Sequence, residues 1–161
     1  MSIIVYTDGA CINNGKKNAK AGYGVFFGDM DSRNKSIPII EGKITNQVAE
    51  LSAIIDAVET ILLEHMNPNI IIKTDSRYCI DCVTKWCCKW EKNGWKNSSG
   101  KTIENYELVT KLYNYTKKNN IKYEHIYSHK DEPAKTDPGY NDWYGNMMAD
   151  MLASNAIIHD N

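Results

Sequence analysis

No stretch of this chain approaches the roughly 18 uninterrupted apolar residues of a membrane-spanning helix. The amino terminus lacks a basic segment followed by an apolar run and a cleavage site, so nothing supports secretion. Charge of either sign is not in excess. A net charge of -1 over 161 residues gives no global attraction for nucleic acid, so any basic surface must be local. Repeats, low-complexity tracts and linkers are absent too. A single domain over 1–161 is therefore expected, large enough to bury a core without covalent staples. The five cysteines are an odd number, which favours a reduced, intracellular protein without structural disulfides. Cys79-x-x-Cys82 superficially matches half of a zinc site. That segment reads as helix rather than the tight turn of a zinc knuckle, and buried, inert helix cysteines are the simpler reading.

What is present is organised around two similar phrases. Ile3-Ile4-Val5-Tyr6-Thr7-Asp8-Gly9 is a short apolar, β-branched run that ends in a carboxylate and a glycine. It reads as a strand buried on both faces, with Asp8 near the carboxyl end of a central strand, where open α/β sheets place their ligands. Ile70-Ile71-Ile72-Lys73-Thr74-Asp75-Ser76 repeats the pattern. One such aspartate commonly just begins a turn, whereas two suggest paired carboxylates at one sheet edge.

The remaining elements follow from periodicity and punctuation. Residues 21–28 and 36–42 read as second and third strands of an antiparallel meander. Thr45 or Asn46 caps a helix in which Val48, Leu51, Ile55, Val58 and Leu62 recur at helical spacing. Glu50 falls on or beside its apolar side, where an unpaired carboxylate is costly; the bland alternative is a first-turn glutamate serving the helix dipole. A helix beginning near Ser76 follows the fourth strand. Trp86 and Trp90 share one face, fringed by Lys85, Lys89, Lys92, Lys96 and Lys101. Such interleaving suits a nucleic-acid backbone, although an aromatic face packed on the core with a solvated lysine fringe is equally compatible. A helix over 104–119 and a parallel strand over 121–127 lead to His129, a surface residue or a proton-transfer group. A polar loop over 130–144 precedes a last helix that starts near Gly145 or Asn146 and carries Asp150.

Asp8, Glu50, Asp75 and Asp150 are four acids at structural boundaries or apolar faces. Brought together they repel unless cations neutralise them, and hard oxygen ligands point to magnesium or manganese rather than zinc. Two such ions can clamp the attacking water and the leaving oxygen of a phosphodiester, which makes a two-metal nuclease the expected chemistry.

The order and spacing of several short motifs then resemble ribonuclease H of the type 1 class over nearly the whole chain. They are Tyr6-Thr7-Asp8-Gly9-Ala10-Cys11, Asn14-Gly15, Ala21-Gly22-Tyr23-Gly24-Val25, Thr45-Asn46-Gln47-Val48-Ala49-Glu50-Leu51 and Thr74-Asp75-Ser76. Trp86, Trp90, Asn93-Gly94-Trp95-Lys96, His129 and Gly145-Asn146 through Ala149-Asp150 complete the set. The resemblance implies an α/β fold of the RNase H-like type. Its mixed sheet has five strands in the order 3-2-1-4-5, three antiparallel followed by parallel ones, with four to five flanking helices. It implies an endonuclease that hydrolyses the RNA strand of an RNA–DNA hybrid duplex to 3′-hydroxyl and 5′-phosphate ends, as in removal of RNA primers and hybrids during replication. By the same resemblance, Asp8, Glu50, Asp75 and Asp150 hold two Mg2+ ions, with Mn2+ as a substitute, and His129 assists proton transfer or product departure. Asn14, Asn46 and Gln47 lie in the hybrid's minor groove near RNA 2′-hydroxyls. Lys43, Thr45 and Asn105 grip a DNA-strand phosphate, while Trp86, Trp90 and the basic segment with Lys96 form a hybrid-binding protrusion. A monomer without a separate hybrid-binding domain is expected.

Three positions depart from the family pattern. Val48 stands where arginine is usual, Ser128 replaces the glycine before His129, and the 130–144 loop is longer than usual. That loop contains Asp131, Glu132, Asp137 and Asp142, any of which could stand in for Asp150; the retained Gly145-Asn146-x-x-Ala149-Asp150 spacing favours Asp150. Two other readings remain open at this stage: a non-catalytic hybrid-binding module, and a related DNA nuclease of the same fold.

Overall fold

Alternating strands and 3.6-residue helical stripes assemble into one sheet with helices on both faces. The computed structural model describes residues 1–157; residues 158–161, the end of the expected domain, lie outside the described residues. In chain order the elements are β1 (Ser2–Ile12), β2 (Lys20–Phe26), β3 (Lys35–Ile39), α1 (Asn46–Glu64) and β4 (Asn69–Thr74). Next come α2 (Arg77–Asp81), a π-helical turn (Cys82–Trp86), α3 (Cys87–Lys92), α4 (Tyr106–Lys118), β5 (Asn120–His125) and α5 (Tyr140–Ala156). The sheet order is β3-β2-β1-β4-β5. β1, β2 and β3 pair antiparallel, and β4 and β5 run parallel to β1. This is the expected mixed sheet, and among the described residues no helix is long and apolar enough to cross a membrane.

α1 covers one face of the sheet. Val5, Ile70 and Ile72 point into it and share a buried cluster with Leu51, Ile54, Val58 and Ile61. α5 crosses the other face over β1, β2 and β3, and its backbone comes so close to β2 that a Cβ on Gly24 would lie 2.3 Å from the Ala149 carbonyl oxygen. Since α5 does not cover the far side, the expectation of strands buried on both faces is corrected. Ile4 is exposed, and on β4 Ile71 and Lys73 are only half-buried between the buried Ile70, Ile72 and Thr74.

Two further expectations change. β1 does not end at Asp8 but runs on to Ile12, paired with β2 only, because the parallel ladder with β4 stops at Thr7–Thr74. Asp8 is thus the first residue beyond that ladder, at the lip of a notch. The last helix begins at Tyr140 rather than near Gly145 or Asn146. Its start is set by a turn in which Gly139 N–H donates to Asp137 Oδ1 (2.7 Å) and Tyr140 N–H to the Asp137 carbonyl (3.0 Å). The final third of the expected loop is therefore helix, and Asp150 lies well inside α5 instead of at its start.

Candidate active site

Each acid reaches the notch for a local reason. Thr45 caps α1, its Oγ1 accepting from Val48 N–H at 3.1 Å, and so fixes the first turn that carries Glu50. α1 approaches β1 at Gly9, where a Cβ would lie 2.6 Å from Glu50 N and 2.8 Å from Ala49 C. At this approach Gly9 N–H donates to Glu50 Oε1 at 2.9 Å and lies 3.0 Å from Asp8 Oδ1. β4 ends in a turn held by Thr74 Oγ1, which accepts from Ser76 N–H at 3.0 Å, while Ser76 caps α2 by accepting from Cys79 N–H at 3.2 Å. That turn projects Asp75. His125 Nε2 lies 3.2 Å from the Asp75 carbonyl, a support the sequence reading missed because a backbone acceptor leaves no motif.

The ligand atoms of Asp8, Glu50 and Asp75 lie within 4.8 Å of one another. Together with Gly9, Asn46, Ser76, Ser128, His129 and Asp150 these acids line a cavity of about 310 Å³. The four sequence-selected acids and His129 thus share one site. Asp131, Asp137 and Asp142 line a separate cavity beside β5, whereas Asp150 lines the cavity of the other three acids.

Asp8 and Glu50 are each only 5 % exposed. Burial, then the charges of Glu50 and Asp75, push the Asp8 carboxyl well above the ordinary carboxylate range. Glu50 is also raised, by burial first and by the charge of Asp75, against the lowering hydrogen bonds from Asp8 and Gly9. The two titrate as a pair rather than singly. Glu50 Oε2 is buried without a hydrogen-bond partner. An orphaned buried oxygen among clustered acids is what a cation site requires: a positive ion relieves both the repulsion and the lost hydration. All the clustered donors are carboxylate oxygens, which fits a hard divalent cation.

Among the described residues the acids are the one group of three or more whose ligand atoms lie close enough to share an ion, and no cysteine belongs to it. Cys79, Cys82 and Cys87 are buried on the α2–α3 segment, and burial pushes all three thiols up.

The remaining candidates form three groups. Asn14 Oδ1 accepts from Asn46 N–H at 3.2 Å, which joins the β1–β2 turn to the start of α1 beside the cavity. Asn105, in a left-handed conformation (φ 57°), donates to Gln47 Oε1 at 3.3 Å and to the Tyr78 hydroxyl at 3.1 Å. Nearby, Lys43 pairs with Glu104 on the surface, and the Thr45 side chain is the helix cap. Val48, in the place of an arginine, is buried against the core. Trp86 and Trp90 stand with ring centroids 5.8 Å apart, and Tyr78 adds a third ring 6.2 Å from Trp86. Trp86 is exposed and Trp90 half-buried, so the fully core-packed alternative does not hold for this face. Among the described residues Lys89, Lys92, Lys96 and Lys101 form no ion pair, whereas Lys85 lies 3.5 Å from Asp81.

A family model described as RNase H matches residues 1–158. The chain is 38 % identical over 150 residues to a Ribonuclease H of Schizosaccharomyces pombe, covering 93 % of this chain and 51 % of that protein. It therefore spans about half the length of the first curated relatives it matches. A Ribonuclease H of Clostridium botulinum is 36 % identical over 132 residues, covering 80 % of this chain and 85 % of that one. The solution structure of the PFV RNase H domain superposes with a TM-score of 0.71 at 25 % identity, covering 95 % of this chain and 92 % of that domain.

Proposed function

Because the chain belongs to the RNase H family, we propose that it is a metal-dependent endonuclease that cleaves the RNA strand of RNA–DNA hybrids, leaving 3′-hydroxyl and 5′-phosphate ends. The observation that carries this reading is the cluster of buried Asp8 and Glu50 with half-buried Asp75, and its orphaned Glu50 oxygen. Asp8, Glu50, Asp75 and Asp150 would hold two magnesium ions, with manganese as a substitute. When bound, the ions supply charge neutralisation and a lowered water pKa at a phosphodiester.

The chain's own groups do the rest. Gly9 N–H fixes one oxygen of Glu50 and leaves the other without a hydrogen-bond partner. His129, on the rim of the cavity, takes up or delivers a proton at the leaving end of the phosphodiester. Asn14, Asn46 and Gln47 meet the 2′-hydroxyls that mark the cleaved strand as RNA. Lys43, Thr45 and Asn105 surround a phosphate of the other strand, and Trp86, Trp90 and Lys96 carry the duplex beyond it. That Lys89, Lys92, Lys96 and Lys101 form no ion pair among the described residues supports that role, since no described carboxylate competes with phosphate for them.

A panel of end-labelled hybrid, RNA duplex and DNA duplex, each with and without magnesium, tests the proposal. Cleavage confined to the RNA of the hybrid, and lost in a folded Asp75→Asn variant, is the expected result. Binding of hybrid without cleavage shows a binding module instead, and cleavage of DNA duplex shows a different nuclease of the same fold.

A further inference from the structure

One row of side chains crosses the open face of the sheet below the acids. Tyr6, Lys73 and Glu124 are aligned in register across β1, β4 and β5. The next residues on that face are Asp8 on β1 and Asp75 just past β4, because side chains alternate along a strand. Asp142, in the first turn of α5, lands on this row. Its Oδ1 accepts from the Tyr6 hydroxyl at 2.6 Å and from Lys73 Nζ at 2.8 Å. Lys73 is only 14 % exposed and lies 3.9 Å from Glu124 Oε2. One turn further along α5, a Cβ on Gly145 would lie 2.5 Å from the Tyr6 ring. Eight residues after Asp142, about 12 Å along the helix, Asp150 lines the acid cavity.

We propose that the contact of Asp142 with Lys73 and Tyr6 is a positioning clamp, which sets the register and rotation of α5 so that Asp150 meets the other three carboxylates. The inference rests on the nuclease reading and extends it to a stretch that departs from the family pattern. Other hydrogen bonds tie α5 to β3 and to loops, Ser36 Oγ donating to the Leu152 carbonyl at 2.6 Å and the Tyr144 hydroxyl to Asp29 at 2.6 Å. Asp142 instead ties it to β1 and β4, the strands that lead to Asp8 and Asp75. Gly139 gives the amino end of α5 no side-chain cap, and toward β2 the helix presents the small buried residues Ala149, Ala153 and Ala156. Small apolar contacts hold a helix close but specify its rotation weakly; a charged hydrogen bond is directional. The Asp142 carboxyl responds as a fixed contact requires. Burial opposes the Asp142 charge, but the Lys73 and Tyr6 hydrogen bonds outweigh it and hold the carboxyl below its ordinary range.

The test compares the unaltered protein with Asp142→Ala, Asp142→Glu and Lys73→Met. It uses amide hydrogen exchange along α5, magnesium binding by calorimetry without nucleic acid, and hybrid cleavage. Asp142→Ala and Lys73→Met are expected to raise exchange over 140–146 and weaken magnesium binding about tenfold, the scale of losing a group that orients a metal ligand. kcat at limiting magnesium falls while KM for hybrid stays, and Asp142→Glu largely restores both. Raised exchange with unchanged magnesium affinity makes the contact merely structural and overturns the proposal, as does unchanged exchange. Should Asp142→Ala not fold, Lys73→Met decides by the same readouts. If the unaltered protein cleaves no hybrid, the nuclease reading fails, while exchange and magnesium binding still judge the clamp.

Discussion

The Gly9 N–H donates to Glu50 Oε1 at 2.9 Å, and this bond ties α1 to the residue directly after Asp8. It spends one carboxylate oxygen on the backbone and leaves the other buried and unpaired. The same close approach leaves no room for a side chain at position 9, since the nearest atoms belong to the α1 backbone. Gly9→Ala must therefore push α1 outward. Overpacking of this kind costs about 1–3 kcal/mol, or several degrees in Tm at this chain length. Magnesium affinity should fall with it. A variant that melts normally and binds magnesium normally would show that the approach is not tight in solution.

Asp8 makes a prediction with a definite sign. Its carboxyl is raised by burial and by neighbouring acids, so between the unfolded value of about 4 and the raised folded value the native state holds more protons than the unfolded one. Stability of the metal-free protein then falls as pH rises through that window. Asp8→Asn removes a charge that cannot be accommodated. In chelator at mildly alkaline pH it should melt higher than the unaltered protein, with the gap closing in mild acid. Magnesium should raise the Tm of the unaltered protein but hardly that of the variant, and the variant should not cleave hybrid. Thermal melts at two pH values, with and without magnesium, check all of this; a variant that melts lower in alkaline chelator contradicts the electrostatic account.

The Trp86–Trp90 pair and the neighbouring lysines separate two parts of binding. Replacing either tryptophan with alanine should weaken hybrid binding by roughly 1–3 kcal/mol, the worth of one stacking platform, and should raise KM with little change in kcat. Lys89→Ala should instead reduce the slope of log K against log salt by about 0.9, as one released counterion predicts. Fluorescence titrations across a salt series distinguish the two; equal salt slopes for all variants would remove Lys89 from the interface.

Thr45 is assigned two tasks, capping α1 and meeting a phosphate. Thr45→Ala should cost about 1 kcal/mol of stability through the lost cap, while Thr45→Asp keeps a capping oxygen but adds a negative charge. Normal stability with weakened hybrid binding in Thr45→Asp is the expected outcome, read from Tm and binding at fixed salt. Unimpaired binding in that variant would leave Thr45 as a cap alone.

The fold, and the gathering of four acids around one cavity, were legible because they rest on local rules. The β-branched runs before Asp8 and Asp75 made strands, helical spacing put Glu50 on the buried side of α1, and the Thr45 cap marked where that helix begins. Retained spacing picked Asp150 over the loop acids. Gly9, Gly24, His125 and Tyr78 went unread as site elements because their roles are close approaches and long-range contacts that periodicity does not encode. Asp142 was read only as a rival ligand for the same reason. Its partners Tyr6 and Lys73 are 136 and 69 residues away in sequence. Sequence alone thus determined which residue types were available and which elements carry them. The tertiary structure decided that β1 outruns β4, that the last helix begins at Tyr140, and that one half of the glutamate stays unpaired. Those outcomes depend on where distant backbones meet, and only the packed chain sets that.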